Sequence, residues 1–313
     1  MKRSRVSAGA AVMAALAALS ACGLGPGQER PGGAQLRVTR DFGRERLHVA
    51  ARDRVREGDT VMRLLQSERR VETAYGGGFV QSIDGIAGGG SSGGRDWFYF
   101  VNGLEGSTGA SERELSDGDV VQWDFRRWGA AMNIPAIVGA YPEPLRSGIE
   151  GKRLPVRIEC ADDRGPACRE VERRLRAEGV TASIGPFGAV ATENVLRVVV
   201  APWSLARKVR AAVALEEGPG ASGVFARFGA RGRRLELLDD SGRVARIAPP
   251  GTGLVAATSL EGIQRVWLVT GGDEAGVRRA AASLDRATLS DRFAVAALPE
   301  GPEALPLDGD ARR

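Results

Sequence analysis

The chain has 313 residues, 43% of them hydrophobic and 27% charged, which is enough to bury two modest cores. Its formal charge of +5 falls to +2 (41 basic against 39 acidic) once Lys2, Arg3 and Arg5 are set aside. So even a balance excludes the basic footprint of a nucleic-acid binder.

Those three cations precede an apolar stretch from Ala8 to Leu19 that runs into Leu19-Ser20-Ala21-Cys22. A basic start, a short apolar core and small residues at the cut site resemble a bacterial lipoprotein signal peptide over 1–22, and the run is too short to span a membrane. Cys22 is then the lipidated first residue of an extracytoplasmic protein anchored to the cell membrane. Cys160 and Cys168 remain as an even pair in an oxidising compartment and are expected to form one disulfide.

Residues 23–34 are rich in Gly and Pro and read as a flexible tether. Leu36, Val38 and then Leu47, Val49 alternate with polar residues, predicting two short strands joined through Asp41-Phe42-Gly43. His48, the single histidine, reads as a solvated surface residue rather than a metal ligand or general base. Gly58-Asp59-Thr60 supplies a turn and N-cap for a helix to about Arg70, with Val61, Leu64 and Leu65 on its apolar face. Strands follow at Phe79–Ile86 and Trp97–Val101, each behind a glycine run that lacks the features of a phosphate loop. Asp117-Gly118 is a turn into a period-two strand with Val121, Trp123 and Phe125 on its core face. Strands around one crossing helix within 35–128 suggest a β-grasp-like domain.

Four segments in this order carry a resemblance: Gly58-Asp59-Thr60-Val61, Gly77-Gly78-Phe79-Val80-Gln81-Ser82-Ile83, Trp97-Phe98-Tyr99-Phe100-Val101-Asn102-Gly103, and Leu115-Ser116-Asp117-Gly118-Asp119 with Val121 and Trp123. Together they resemble the transcobalamin-like C-terminal domain family of bacterial surface proteins. The resemblance implies a binding role, not catalysis, with cobalamin or another corrinoid as the leading ligand and no cofactor of its own. The run of helical hairpins that would make the partner domain of the vitamin carriers is missing from this sequence. On that reading Gln81, Trp97, Tyr99, Asn102 and Trp128 form the candidate ligand face, because aromatic planes and amides suit a flat, amide-rimmed ring system. Trp97 and Tyr99 alternate with Phe98 and Phe100, so one of the two sets is core. Asn102-Gly103 also reads as a hairpin turn.

Residues 129–154, with Pro135, Pro142 and Pro144, read as an interdomain linker with local packing of its own. Three strand-turn-helix units then suggest an α/β layered domain over 155–298. The first has Cys168, Val171 and Leu175 on its helix, the second Leu205, Val209, Ala212 and Val213, and the third Val277, Ala280, Ala281 and Leu284. Between the last two units, short alternating runs from Val224 to Thr258 read as an antiparallel meander extending the sheet. Residues 299–313 read as a disordered tail. The fold class is therefore α+β, a β-grasp-like domain followed by an α/β domain with a meander.

Asp273 reads as an N-cap and Asp162-Asp163 and Asp239-Asp240 as loop and turn residues. The sequence carries no Ser-His-Asp or Cys-His set, no nucleophile elbow and no zinc pattern, so a non-enzyme is expected. The leading reading is a lipid-anchored extracytoplasmic binding protein for a cobalamin-like or another small ligand, with a membrane transporter as a candidate partner. The alternatives are a cell-envelope interaction or assembly module and a carboxylate-based glycan hydrolase.

Overall fold

The computed structural model describes residues 32–74, 77–89, 94–188, 194–229 and 232–309. Cys22, the signal-like segment and most of the tether lie outside the described residues.

The N-terminal half contains β1 (Ala34–Arg40), β2 (Glu45–Arg52), α1 (Val61–Glu68), β3 (Val71–Ala74), β4 (Phe79–Ile83), β5 (Ile86–Ala87), β6 (Arg95–Val101), β7 (Leu104–Glu105) and β8 (Asp119–Arg127). The main sheet has the order β2-β1-β8-β6-β7, with β1 and β8 parallel at its centre and antiparallel neighbours outside them. This is the β-grasp-like arrangement expected from the sequence. Thr60 caps α1 by accepting a hydrogen bond from the Arg63 N–H at 3.2 Å. The apolar stripe Val61, Met62, Leu64 and Leu65 then packs on Leu36, Val38, Trp97, Tyr99, Val121 and Trp123.

The other face of this sheet is also buried, and it is polar. Thr39, Gln122, Asp124 and Arg126 are each at most 1% exposed. Buried polar groups demand partners, and the partners come from residues 129–154, from the β1–β2 loop and from the second half. The Gln122 side-chain amide donates to the Asp291 carbonyl at 2.9 Å, Arg37 donates to the Gly139 carbonyl at 2.8 Å, and Arg126 donates to the Ala131 and Met132 carbonyls at 2.8 and 2.9 Å. Asp124 accepts from the backbone N–H groups of Phe42 and Gly43 at 3.0 and 2.8 Å and from the Thr39 hydroxyl at 2.6 Å. These bonds hold the β1–β2 loop, where Asp41, Phe42 and Gly43 all have φ between 56° and 74°. The loop drives Phe42 into the second half, edge-on to Phe225 at 5.0 Å and Phe293 at 5.3 Å.

The second half contains β9 (Val156–Cys160), α2 (Pro166–Ala177), β10 (Ala182–Gly185), β11 (Leu196–Pro202), α3 (Trp203–Ala206), α4 (Arg210–Glu217), α5 (Pro219–Ser222), β12 (Ala226–Phe228), β13 (Leu235–Leu238), β14 (Val244–Ile247), β15 (Gly253–Leu260), β16 (Gln264–Gly271), α6 (Glu274–Ala282), α7 (Arg286–Leu289), β17 (Ala294–Leu298) and β18 (Gly301–Leu305). Its seven-stranded sheet has the order β10-β9-β11-β16-β15-β17-β18 and is parallel through β16, antiparallel beyond. Cys160 and Cys168 form the expected disulfide between the end of β9 and the start of α2.

Four expectations change. Residues 129–154 pack well beyond the local contacts expected of a linker and form a buried strap: Ile134, Ile137, Val138, Tyr141 and Leu145 are all in the core, and the strap's backbone bonds to both halves, as in Ile137 N–H to Gly103 and Asp291 N–H to Gly139. The meander does not extend the main sheet, because β12, β13 and β14 form a separate three-stranded sheet and only the Leu254–Ala257 run enters the large one, within β15. The helix expected through Leu205 and Val213 is broken into α3 and α4, since Val209 is extended, with φ −80° and ψ 117°, and Val213 faces outward. The supposed tail begins with β18, an edge strand paired along β17, where Pro302 is tolerated because an edge leaves one side of the ladder unpaired.

Candidate functional site

A groove of about 600 Å³ opens beside the short β7 edge of the first sheet. Phe79, Trp97, Phe98, Tyr99 and Trp123 contribute its aromatic wall, the loop from Glu105 to Ala110 its floor, and Asn133, Pro135 and Gly262 its far side. The wall arises because Tyr99 and Trp123 sit opposite each other on β6 and β8, with ring centroids 5.2 Å apart. Gly106 is set against this wall so closely that a Cβ there would lie 1.9 Å from Tyr99 Cζ. The Tyr99 hydroxyl donates to the Thr108 carbonyl at 2.6 Å and Trp97 Nε1 donates to the Ile86 carbonyl at 2.8 Å. Trp123 Nε1 differs: it is buried and meets no hydrogen-bond acceptor among the described residues.

Glu105 sits between this groove and a smaller recess of about 180 Å³. One carboxylate oxygen accepts from the Ile134 N–H at 3.0 Å, and the other lies 3.4 Å from an Arg126 guanidinium nitrogen. Burial pushes the Glu105 carboxyl above its ordinary pKa, against the opposing pull of the Ile134 N–H and of Arg126. Burial likewise lowers Arg126 to about 10, and its guanidinium lies 3.7 Å over the Phe98 ring. The smaller recess adds Asn102, Arg113, Ile149 and Ser259, and Ser259 Oγ is a second buried polar atom with no hydrogen-bond partner among the described residues.

Of the residues expected at a ligand face, the structure brings Trp97 and Tyr99 to the groove, although both side chains are largely core. Asn102 lines the smaller recess with its amide already occupied: it donates to Asp119 at 2.8 Å and accepts from the Val120 N–H at 2.9 Å. With φ values of 55° and 75°, Asn102 and Gly103 make the two-residue hairpin turn between β6 and β7. Gln81 is exposed on β4, and Trp128, half-buried beyond β8, donates its backbone N–H to Gly94; neither is among the groove residues. Phe79, 39% exposed, and Glu105 were missed. A large aromatic directly after a glycine run was the available signal for Phe79; Glu105 gave none, because one carboxylate after a turn looks like any surface residue.

His48 is half-buried rather than solvated. Its Nδ1 lies 3.4 Å from Arg69 and its Nε2 lies 3.7 Å from Glu68. Asp273 caps α6 as expected, accepting from the Gly276 N–H at 2.8 Å, and Asp239 closes its turn by accepting from the Ser241 and Arg243 N–H groups, both at 3.0 Å. Among the described residues, no group of three or more His, Cys, Asp or Glu side chains is placed to hold a metal ion, and no helix is long and apolar enough to cross a membrane.

Residues 58–127 match a family described as a domain of unknown function, DUF4430. Among solved structures the chain is similar to "a putative metal binding protein from Ruminococcus gnavus", at 20% identity, with 31% of this chain and 97% of that chain covered and a TM-score of 0.26. A search of curated proteins returns no match. The family match includes α1, the aromatic wall and Glu105, and it stops before the strap.

Proposed function

We propose that this chain is a lipid-anchored extracytoplasmic binding protein that captures a small, flat ligand in the aromatic groove of its first domain. The observation that carries the reading is the groove itself, about 600 Å³ and walled by Phe79, Trp97, Phe98, Tyr99 and Trp123, a concave aromatic surface of the kind that takes a flat ligand. The transcobalamin-like motifs make a corrinoid the leading ligand, delivered onward to a membrane transporter. The signal-like start ending in Cys22 and the Cys160–Cys168 disulfide support an extracytoplasmic setting. A binding role suits a groove whose Glu105 and Arg126 are engaged with each other and with backbone groups.

The test is calorimetric titration of the chain beginning after Cys22 with cobalamin and with cobinamide, its ring-only precursor. Saturable one-to-one binding, weakened roughly five-fold by Phe79→Ala with no change in melting temperature, is the expected result. Absence of heat at about 0.1 mM ligand, which corresponds to roughly −5.5 kcal/mol, sinks the corrinoid reading. Trp97→Ala and Tyr99→Ala are unsuitable probes because both rings belong to the core.

A further inference from the structure

Among the described residues, seven large hydrophobic side chains stand in solvent, and three of them line the aromatic groove or adjoin residues that do. Phe79, 39% exposed, is part of the wall; Met132, 52% exposed, precedes the lining residue Asn133; Ile263, 42% exposed, follows the lining residue Gly262. They come from the first domain, the strap and the second half. The other four, Val49, Ile184, Val213 and Ile247, lie one each on β2, β10, α4 and β14. Single exposed apolar residues are ordinary, whereas three brought to one mouth from distant segments mark a contact surface.

Each of the three is carried by backbone that the fold pins. Phe79 opens β4 opposite Ala74. The Met132 carbonyl accepts from Arg126 at 2.9 Å, and the Ile134 N–H two residues on donates to Glu105 at 3.0 Å. Ile263 closes the three-residue loop of the β15–β16 hairpin, its N–H donating to the Leu260 carbonyl at 3.0 Å. A rim fixed in this way loses little further entropy when it meets a partner.

We infer that this rim rests on the lipid bilayer that anchors the protein, with Phe79, Met132 and Ile263 entering the boundary between headgroups and acyl chains, so that the groove opens at the membrane surface. The inference rests on the lipid-anchored reading above and adds the face that the anchor presents. The length of the tether and the point where it joins the fold select the bilayer as partner. Leu36, Val121, Val101 and Leu104 share one row across the first sheet, so β1 lies three strand spacings, about 14 Å, from the β7 edge beside the groove. Ala34 starts β1 two residues before that row, and the ten peptide steps from Cys22 to Gly32 reach at most about 35 Å. A lipid on Cys22 therefore keeps this edge of the sheet close to the bilayer at all times. Tethering makes the contact intramolecular, and three apolar side chains then suffice to fix an orientation that a free protein would hold only in passing.

The experiment places the chain beginning after Cys22, with a hexahistidine at its N-terminus, on vesicles of phosphatidylethanolamine and phosphatidylglycerol that contain a nickel-chelating lipid and brominated acyl chains. Met132→Cys, Ile263→Cys and, as a control, Val49→Cys each carry an environment-sensitive dye; Cys160 and Cys168 are paired, so the added thiol is the one that reacts. Insertion to a depth of about 5–10 Å should shift the dyes at positions 132 and 263 to the blue and cost them about half of their emission, with position 49 unchanged. Equal quenching at all three positions, or its absence at 132 or at 263, overturns the docking face and leaves ligand binding in the groove untouched. Adding Ile263→Asp to the Met132→Cys protein should restore the emission, and quenching that survives it overturns the shared rim. A full chain whose mass shows no lipid on Cys22 overturns the anchored reading itself, and this inference with it.

Discussion

Gly106 and Tyr99 show how little room a single residue has beside the groove. Gly106→Ala puts a methyl group inside the Tyr99 ring, so the ring or the β6–β7 edge has to shift, with an expected loss of about 1–3 kcal/mol in chemical denaturation. Glu105 makes a pH prediction. Its folded-state pKa is raised above the ordinary 4.5, so the folded protein holds that proton more tightly than the unfolded chain does. Its contribution to stability is therefore complete below pH 4.5 and is lost as the pH rises through the raised value. In urea titrations across pH, the stability of the wild type relative to Glu105→Gln should fall as pH rises above 4.5, and a flat difference would contradict the assignment. At this scale the sequence revealed hydrophobic character but not partners. Trp123 was legible as core from its period-two neighbours, yet nothing in the alternation says that its ring nitrogen is buried without a hydrogen-bond partner.

Elements were most legible where one face is apolar and the other solvated. The stripe of α1, the Pro166 start and Gly179 stop of α2, and the Asp273 cap of α6 follow from spacing and end signals alone. β8 resisted the same reasoning. Its alternation of Val121, Trp123 and Phe125 with Gln122, Asp124 and Arg126 looks like a strand with one wet face, whereas both faces are buried. β18 was lost because Gly301-Pro302-Glu303 carries no strand signal and gains its order from β17. The β9–α2 connection gives a prediction at this scale. Its disulfide spans a sequence separation of 8, for which loop closure entropy gives about 2.5 kcal/mol, so a reductant should lower the denaturation midpoint by that equivalent. Beside it, Glu159 and Arg197 form a buried two-point ion pair with distances of 2.8 and 2.7 Å. Glu159→Ala strands the guanidinium and should cost about 3–5 kcal/mol in the same assay.

For the whole molecule, two domains could be drawn from composition, but their union could not. The seam is made of Arg37, Gln122, Arg126, Asp291 and strap carbonyls, polar groups that a sequence reader assigns to solvent. Phe42 adds the apolar half of the seam, in a loop that reads as a bare turn. With such a seam the two halves should melt in one transition. Phe42→Ala is expected to remove about 3–5 kcal/mol and to separate the calorimetric trace into two transitions; a single unshifted peak would show that Phe42 does not couple them.

The seam also sets an order of events during synthesis. Gln122 leaves the ribosome long before Asp291, its partner 169 residues further on, and the Gly139 carbonyl that receives Arg37 comes in between. Until the C-terminal third is made, the nascent first sheet has one finished face and one raw one, with paired strands, a docked α1 and a row of unsheltered amides and guanidinium groups. A chain halted anywhere between the strap and β17 would therefore expose its sheet to proteases and to chaperones, even though every residue of the family-matched segment had already been translated.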